Sequence, residues 1–263
     1  MYLHGHHDSV LRSHRWRTAR NSAGYLLDRL RPGCQVLDVG CGPGTITADI
    51  AELVNPGAVT AIDPEAEVLA EAAEAAAQRG VANIEFAVAD VYQLAYPDDS
   101  FDVVHAHQVL QHLPDPVTAL REMRRVCRPT GVVAVRDADY AAMTWFPEHA
   151  ALDEWLAMYR AVARSTGGEP DAGRRLRGWA ERAGFAQVRC SASVWCYATA
   201  EELAWWSDLW AERVTRSSLA GKAVAGGVAS EADLARIETG WREWAAAEDA
   251  WFSVLHGEVL ASP

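Results

Sequence analysis

The run Val36-Leu37-Asp38-Val39-Gly40-Cys41-Gly42-Pro43-Gly44-Thr45 carries most of the chemistry legible in this chain. It joins an apolar strand to glycines at 40, 42 and 44, and a helical pattern of Ile46, Ile50 and Leu53 follows. Glycine has no Cβ, so a ligand can approach bare backbone where such a turn feeds a helix. Asp63 ends the next apolar strand, Ala58-Val59-Thr60-Ala61-Ile62. An acid about 20 residues beyond a glycine turn is where such units hold ribose hydroxyls. The ligand is not a dinucleotide, because that fingerprint needs a third glycine where Thr45 stands. No Gly-Lys-Ser/Thr follows either, which excludes a nucleoside-triphosphate loop.

The elements that must position these residues alternate. Strands are expected at 35–39, 58–62, 84–88, 101–106 and 132–136. Helices are expected at 9–30 (capped by Ser9), 44–54, 65–79 and 116–127. Alternation predicts a parallel sheet with helices on both faces, and a ligand outside the carboxyl ends of the strands. Those ends carry Gly40, Asp63, Asp90, His107 and Asp137. Beyond residue 140 lie ten of the eleven tryptophans. Helices are expected there at 147–165, 172–183, 200–220 and 231–256, with strands near 186–191 and 193–198.

The opening run resembles motif I of the class I S-adenosylmethionine (SAM)-dependent methyltransferases. More of that family's pattern follows in order. Pro97–Val104 matches its approach to strand four, His105–Leu113 the segment after it, and Leu120–Pro129 its L-x-E-x-x-R-V-L-K/R-P run. Cys127 and Thr130 depart from the last motif, and Thr130 leaves the turn type there open. Together the motifs cover residues 34–137 and most resemble the small-molecule branch typified by the ubiquinone/menaquinone-biosynthesis methyltransferases.

The resemblance implies an α/β fold. Its core is a Rossmann-like, seven-stranded, mostly parallel sheet with helices on both faces, joined by an inserted and C-terminal helical cap. It implies an arm at 1–33 over the cofactor site, a SAM-binding core at 34–199 with a helical insertion at about 141–170, and a cap at 200–263. It assigns SAM to Asp38, Gly40, Cys41, Gly42, Pro43, Gly44, Thr45, Asp63, Pro64, Asp90, Val91, His107, Gln108 and His112. Trp16 joins them as the aromatic residue of the arm.

Methyl transfer asks of a protein alignment, exclusion of water and, for hydroxyl or carbon acids, a base. The candidates for that base are His107, Asp139 and Tyr140, while His112 fits better as a packing and capping residue. A divalent metal at His107, Asp137 and Asp139, or at the histidines 4, 6, 7 and 14, has little support in spacing, and no metal site is expected. The expected activity is transfer of a methyl group to a small, apolar or aromatic metabolite. Two other classes stay open: the same SAM fold used for cyclisation or rearrangement without transfer, and a SAM-binding module without turnover.

Bulk properties narrow the partners. The chain has 263 residues, half of them hydrophobic, and a net charge of −12. Such an acidic surface repels phosphate backbones, so nucleic acid is not an expected partner. Strand four also lacks an Asn/Asp-Pro-Pro-Tyr/Phe motif at its end. Five cysteines without a C-x-x-C pair read as reduced thiols of a cytoplasmic protein. No signal peptide and no membrane span are expected. The tryptophans admit core, substrate-lid and homodimer roles.

Overall fold

The computed structural model describes residues 13–263. The histidines 4, 6 and 7, the Ser9 cap and the rest of 1–12 lie outside the described residues. The chain forms two compact units. A sheet unit comprises His14–Asp137, Ala172–Ser193 and His256–Pro263. An aromatic unit comprises Ala138–Asp171 and Val194–Leu255, together with Ser13.

In the sheet unit, β1 (Gln35–Val39), β2 (Ala58–Asp63), β3 (Ile84–Val88), β4 (Phe101–His107) and β5 (Cys127–Ala138) run parallel, in the order β3-β2-β1-β4-β5. Then comes β8 (Trp251–Ser262), with β7 (Gln187–Tyr197) paired to it. Val36, Leu37 and Val39 of β1 and Phe101, Val103, Val104 and Ala106 of β4 are buried because both faces of a parallel sheet are covered. On one face Ile46, Ile50 and Val54 of α2 (Thr45–Val54) pack with Val36, Val59 and Val103. On the other, Leu120 and Met123 of α4 (Pro116–Val126) pack with Leu37, Val104 and Trp179. The stripes recur at helical spacing, which is why these segments form helices. Asp115 caps α4, its carboxylate accepting from the Thr118 amide at 3.0 Å, and Pro116 takes the first turn, where no amide is needed. Between β2 and β3 runs α3 (Ala66–Gln78). Strand order reverses between β1 and β4, so their carboxyl ends open a crevice where loops can receive a ligand.

The aromatic unit holds α5 (Ala150–Ser165), α7 (Ala200–Arg216), α8 (Ser218–Ala225), α9 (Glu231–Ala245) and the three-residue β6 (Thr144–Phe146). β6 lies antiparallel to the start of β8 and is the eighth strand among the described residues, one more than expected. Trp155 is the hub of this core: its ring meets Trp210 at 4.5 Å and Trp241 at 4.8 Å, both edge to face. Trp206, Trp244 and Phe252 complete the cluster.

Several expected boundaries need correction. The helix expected over 9–30 is interrupted within the described part: residues 13–15 are helical, and after a break come a short α1 (Ala19–Ser22) and a 3-10 segment, Gly24–Arg29. Thr18 and Asn21 cap each other reciprocally, which starts a new helix there. The single helix expected over 200–220 breaks at Ser217, whose hydroxyl caps α8. The two strands expected at 186–191 and 193–198 are one strand, β7, because no turn-forming residue interrupts them.

The largest correction is at 231–256. Helix stops at Ala245, and Trp251–Ser262 is strand, so the segment expected as a cap at 200–263 ends in the sheet. Trp241, Trp244, Trp251 and Leu255 mimic helical spacing, but Phe252, Val254 and Val259 are buried as strand residues. Gly257 permits close approach there, since a Cβ would lie 2.1 Å from the Gly173 carbonyl oxygen. α6 (Leu176–Ala183) follows a 3-10 turn at Gly173–Arg175.

Trp155→Ala should cost about 3–5 kcal/mol of stability, the range for truncating a buried aromatic. Denaturant unfolding checks this, and a loss under about 1 kcal/mol would remove Trp155 as the hub.

Candidate cofactor and acceptor site

The glycine turn is built from backbone. Gly40, Gly42 and Gly44 all adopt left-handed φ, at 66°, 55° and 75°, where a side chain is strained. The amides of Gly40 and Cys41 both donate to the Ile62 carbonyl, at 2.7 and 3.0 Å, pinning the turn to the end of β2. Gly40 and Gly44 also sit too close to neighbours for any Cβ, which would lie 2.5 Å from Val109 Cγ2 and 2.9 Å from Ala72 Cβ respectively. Gly44 then opens α2 without a side-chain cap. An uncapped helix start presents amides and the positive end of the helix dipole, the natural seat for a carboxylate or other anionic group.

Asp63 stands beside this turn. Its Oδ2 accepts from the Gly42 amide at 3.2 Å and its Oδ1 from the Glu65 amide at 3.1 Å, which aims the carboxylate at the loop. Pro64 is exposed and Pro43 buried. Asp90 is exposed, folded into a turn by the Tyr92 amide at 2.9 Å, and Val91 is buried. Burial, with the charges of Asp38 and Asp63, pushes the Cys41 thiol far up, so it stays protonated and inert.

Asp38, grouped with the cofactor-binding residues on the resemblance, has an inward role. It is buried, with Oδ2 accepting from Thr47 Oγ1 at 2.6 Å and Oδ1 2.8 Å from His105 Nδ1. The described part of the arm lies on the sheet unit. Thr45 Oγ1 donates to the His14 carbonyl at 3.2 Å, Arg15 pairs with Glu71, and Arg17 Nη2 donates to Gln108 Oε1 at 2.8 Å. Trp16 is 39% exposed.

At the carboxyl ends of β4 and β5 lies a buried polar group. His107 is opposite Arg136 in the parallel register, and its ring stacks 6.2 Å from that of His256. Burial, aided by Arg17, Arg136 and His256, holds His107 well below the usual imidazole range, so it is neutral at physiological pH. Asp137 is fully buried, one oxygen accepting from the Gln111 amide at 3.0 Å. Burial pushes its pKa up to about 8, against the opposing pull of that amide and of Arg136. Burial lowers Arg136 to about 10, and Glu258 holds part of its charge in place. Glu258 in turn accepts from Ser191 and Ser193, at 2.7 and 2.5 Å. His112 interacts with the neighbouring Gln111 amide nitrogen at 3.1 Å.

Of the three candidate bases, His107 alone belongs to the sheet unit, while Asp139 and Tyr140 belong to the aromatic unit. Tyr140 is a core ring there, stacked at 4.0 Å on Tyr159, and the Asp139 amide donates to the Leu255 carbonyl. Sequence reasoning missed Arg136, His256 and Glu258. A charged residue closing the apolar run Val132–Val135 was the available signal for Arg136. The other two were hidden by reading their strand as a helix end or leaving it unassigned. Among the described residues no group of His, Cys, Asp or Glu is placed to hold a metal, and no helix is long and apolar enough to cross a membrane.

A parallel sheet whose order reverses beside a glycine turn and an uncapped helix start defines a Rossmann-like protein that binds a nucleoside-containing cofactor. The methyltransferase-domain family profile matches residues 30–206, and the chain belongs to that family. An uncharacterized methyltransferase of Schizosaccharomyces pombe is 34% identical over 268 residues, covering 98% of this chain and 95% of that one. A ubiquinone/menaquinone biosynthesis C-methyltransferase of Bdellovibrio bacteriovorus is 45% identical over 105 residues, covering 40% of this chain and 44% of its own. The fold is shared with a phosphoethanolamine N-methyltransferase of Haemonchus contortus solved with S-adenosylhomocysteine. Its TM-score is 0.57 at 18% identity, over 91% of this chain and 52% of that one. The protein is a SAM-dependent methyltransferase, with SAM as the methyl donor.

The buried Asp137 makes a pH prediction. Its folded pKa, about 8, lies above its ordinary 3.8. Between those values the folded chain keeps a proton that the unfolded chain releases. The stabilising contribution is therefore complete below about pH 4 and is lost as pH rises toward 8. Asp137→Asn keeps the shape and removes the titration. It should melt higher than the parent at pH 8.5, by at least about 2–4 °C, with the gap closing toward pH 5. Parallel melting curves across that range would contradict the assignment.

Proposed function

We propose that this methyltransferase transfers the methyl group of SAM to a small, apolar or aromatic metabolite, with His107 taking the acceptor's proton. The observation that carries this reading is the burial of His107 and Asp137 at the carboxyl ends of β4 and β5, beside the reversal of strand order. Groups so far out of water suit an acceptor that can be enclosed whole, and the charge of −12 speaks against a nucleic acid.

The site fits SAM on its own geometry: three left-handed glycines leading into an uncapped helix start. Gly42 and Gly44, whose amides serve the turn itself, would let the amino-acid end approach bare backbone. The amides of the uncapped first turn of α2, from Thr45, would hold it, Asp63 the ribose hydroxyls, and Asp90 with Val91 the adenine. When bound, SAM supplies a methyl group made electrophilic by its sulfonium. The chain's own residues then align the acceptor, exclude water and move one proton. The neutral His107 ring would take the acceptor's proton as the methyl group is delivered, with S-adenosylhomocysteine as the other product. A desolvated imidazole is a weak base, so the matching acceptors lose their proton as the methyl arrives: phenols, quinols or activated carbon acids.

Asp63→Ala should weaken SAM binding by about 10–100-fold. That is the loss expected for charge-assisted bonds of about 1.5–3 kcal/mol, and an unchanged Kd in a folded variant would refute the ribose role. Incubation with SAM and a panel of small phenols and quinols, beside RNA and protein acceptors, should release S-adenosylhomocysteine with a small aromatic acceptor. With that acceptor His107→Ala should lower kcat by about 100-fold or more at unchanged SAM affinity. Turnover with macromolecules alone, or full kcat without His107, would overturn the reading.

A further inference from the structure

Gln108 follows β4 in a conformation that a residue with a side chain avoids, with φ at 55°. Its amide donates to the Arg136 carbonyl at 2.7 Å, which fixes the backbone in that state. A non-glycine residue held there by its surroundings invites a functional explanation. Its side chain has two partners, drawn from opposite ends of the chain. Arg17 Nη2 lies 2.8 Å from Oε1, and His256 Nε2 lies 2.9 Å from Nε2.

A carboxamide is directional: its oxygen accepts and its nitrogen donates. A guanidinium only donates, so Arg17 fixes the oxygen, and the amide nitrogen must then donate to His256. His256 therefore accepts at Nε2 and carries its proton on Nδ1. It is fully buried on β8, so it cannot swing aside. The amide is in this way oriented from behind by a residue of the last strand.

The consequence falls on the arm. Segment His14–Arg17 lies on the glycine turn: a Cβ on Gly42 would come 3.8 Å from His14 Nδ1. Three ties hold it. The Arg15–Glu71 pair is exposed and contributes little. The Thr45–His14 bond is between neutral groups. The Arg17–Gln108 bond is partly buried and charge-assisted, the strongest of the three.

We propose that His256 is a positioning residue for SAM binding: it orients the Gln108 amide so that Gln108 holds Arg17, and Arg17 holds the His14–Arg17 segment over the glycine turn. Arg17 and His256 are coupled through Gln108. The inference rests on SAM occupying the glycine turn, and its test separates the two ideas.

The test is a double-mutant cycle on the full chain, with SAM affinity read by calorimetry. Arg17→Met and His256→Phe should each weaken SAM about 10-fold. The double variant should also be about 10-fold weaker, because either change breaks the same chain of bonds, whereas independent sites would give about 100-fold. His256→Gln, which keeps an acceptor, should recover part of the loss. Without SAM, trypsin should cut after Arg15 faster in His256→Phe and in Gln108→Met than in the parent.

An additive double variant, or single variants at parental affinity, would overturn the coupling. If His256→Phe does not fold, the cycle of Arg17→Met with Gln108→Met decides it by the same criterion. If the parent does not bind SAM, the cofactor reading fails, while unchanged tryptic cutting in His256→Phe and Gln108→Met would separately defeat the His256–Gln108–Arg17 chain.

Discussion

The buried carboxylate of Asp38 is the constraint on which the site depends. Its two oxygens reach Thr47, in the first turn of α2, and His105, in the middle of β4. One side chain on β1 thus ties together the three elements that meet at the reversal of strand order. An uncompensated carboxylate at 3% exposure would be very costly, so the partners and the strand spacing stabilise one another. With β1, α2 and β4 so fixed, the glycine turn has one path from Val39 to Thr45. That path needs left-handed backbone at three positions, and the shared carbonyl of Ile62 anchors its start.

Beyond the turn, the sheet unit keeps its polar groups in an order that suits group transfer. The proposed cofactor side is backbone and carboxylate: the open start of α2 and Asp63. The proposed acceptor side is a neutral imidazole and a carboxyl group that burial keeps protonated through neutral pH. These states arise from the same cause, removal from water, acting with opposite sign on an acid and a base.

The parallel core was legible because its signals are local. Glycines 40, 42 and 44, the acids Asp63, Asp90 and Asp137 near strand ends and the apolar runs of β1 through β5 sit within a few residues of what they shape. Asp38 was legible as a motif position but not in its role, because Thr47 and His105 approach it only in the folded sheet. β8 was illegible for a different reason. Trp241, Trp244 and Trp251 match a helical period, yet the segment after Ala250 gains more by pairing in the sheet and burying Phe252, Val254 and Val259. Misreading that strand concealed His256 and Glu258, and with them the polar surroundings of His107 and Arg136. Tyr140 shows the converse: a strand-end tyrosine suggests chemistry, whereas its stacked ring makes it part of an aromatic core.

Residue-resolved amide hydrogen exchange with and without SAM tests the central claim most directly. The account predicts slowed exchange at Gly42, Gly44 and Thr45 and around Asp63–Glu65, the backbone that borders the proposed cofactor seat. SAM binding that leaves those amides unchanged and protects another part of the chain would contradict it.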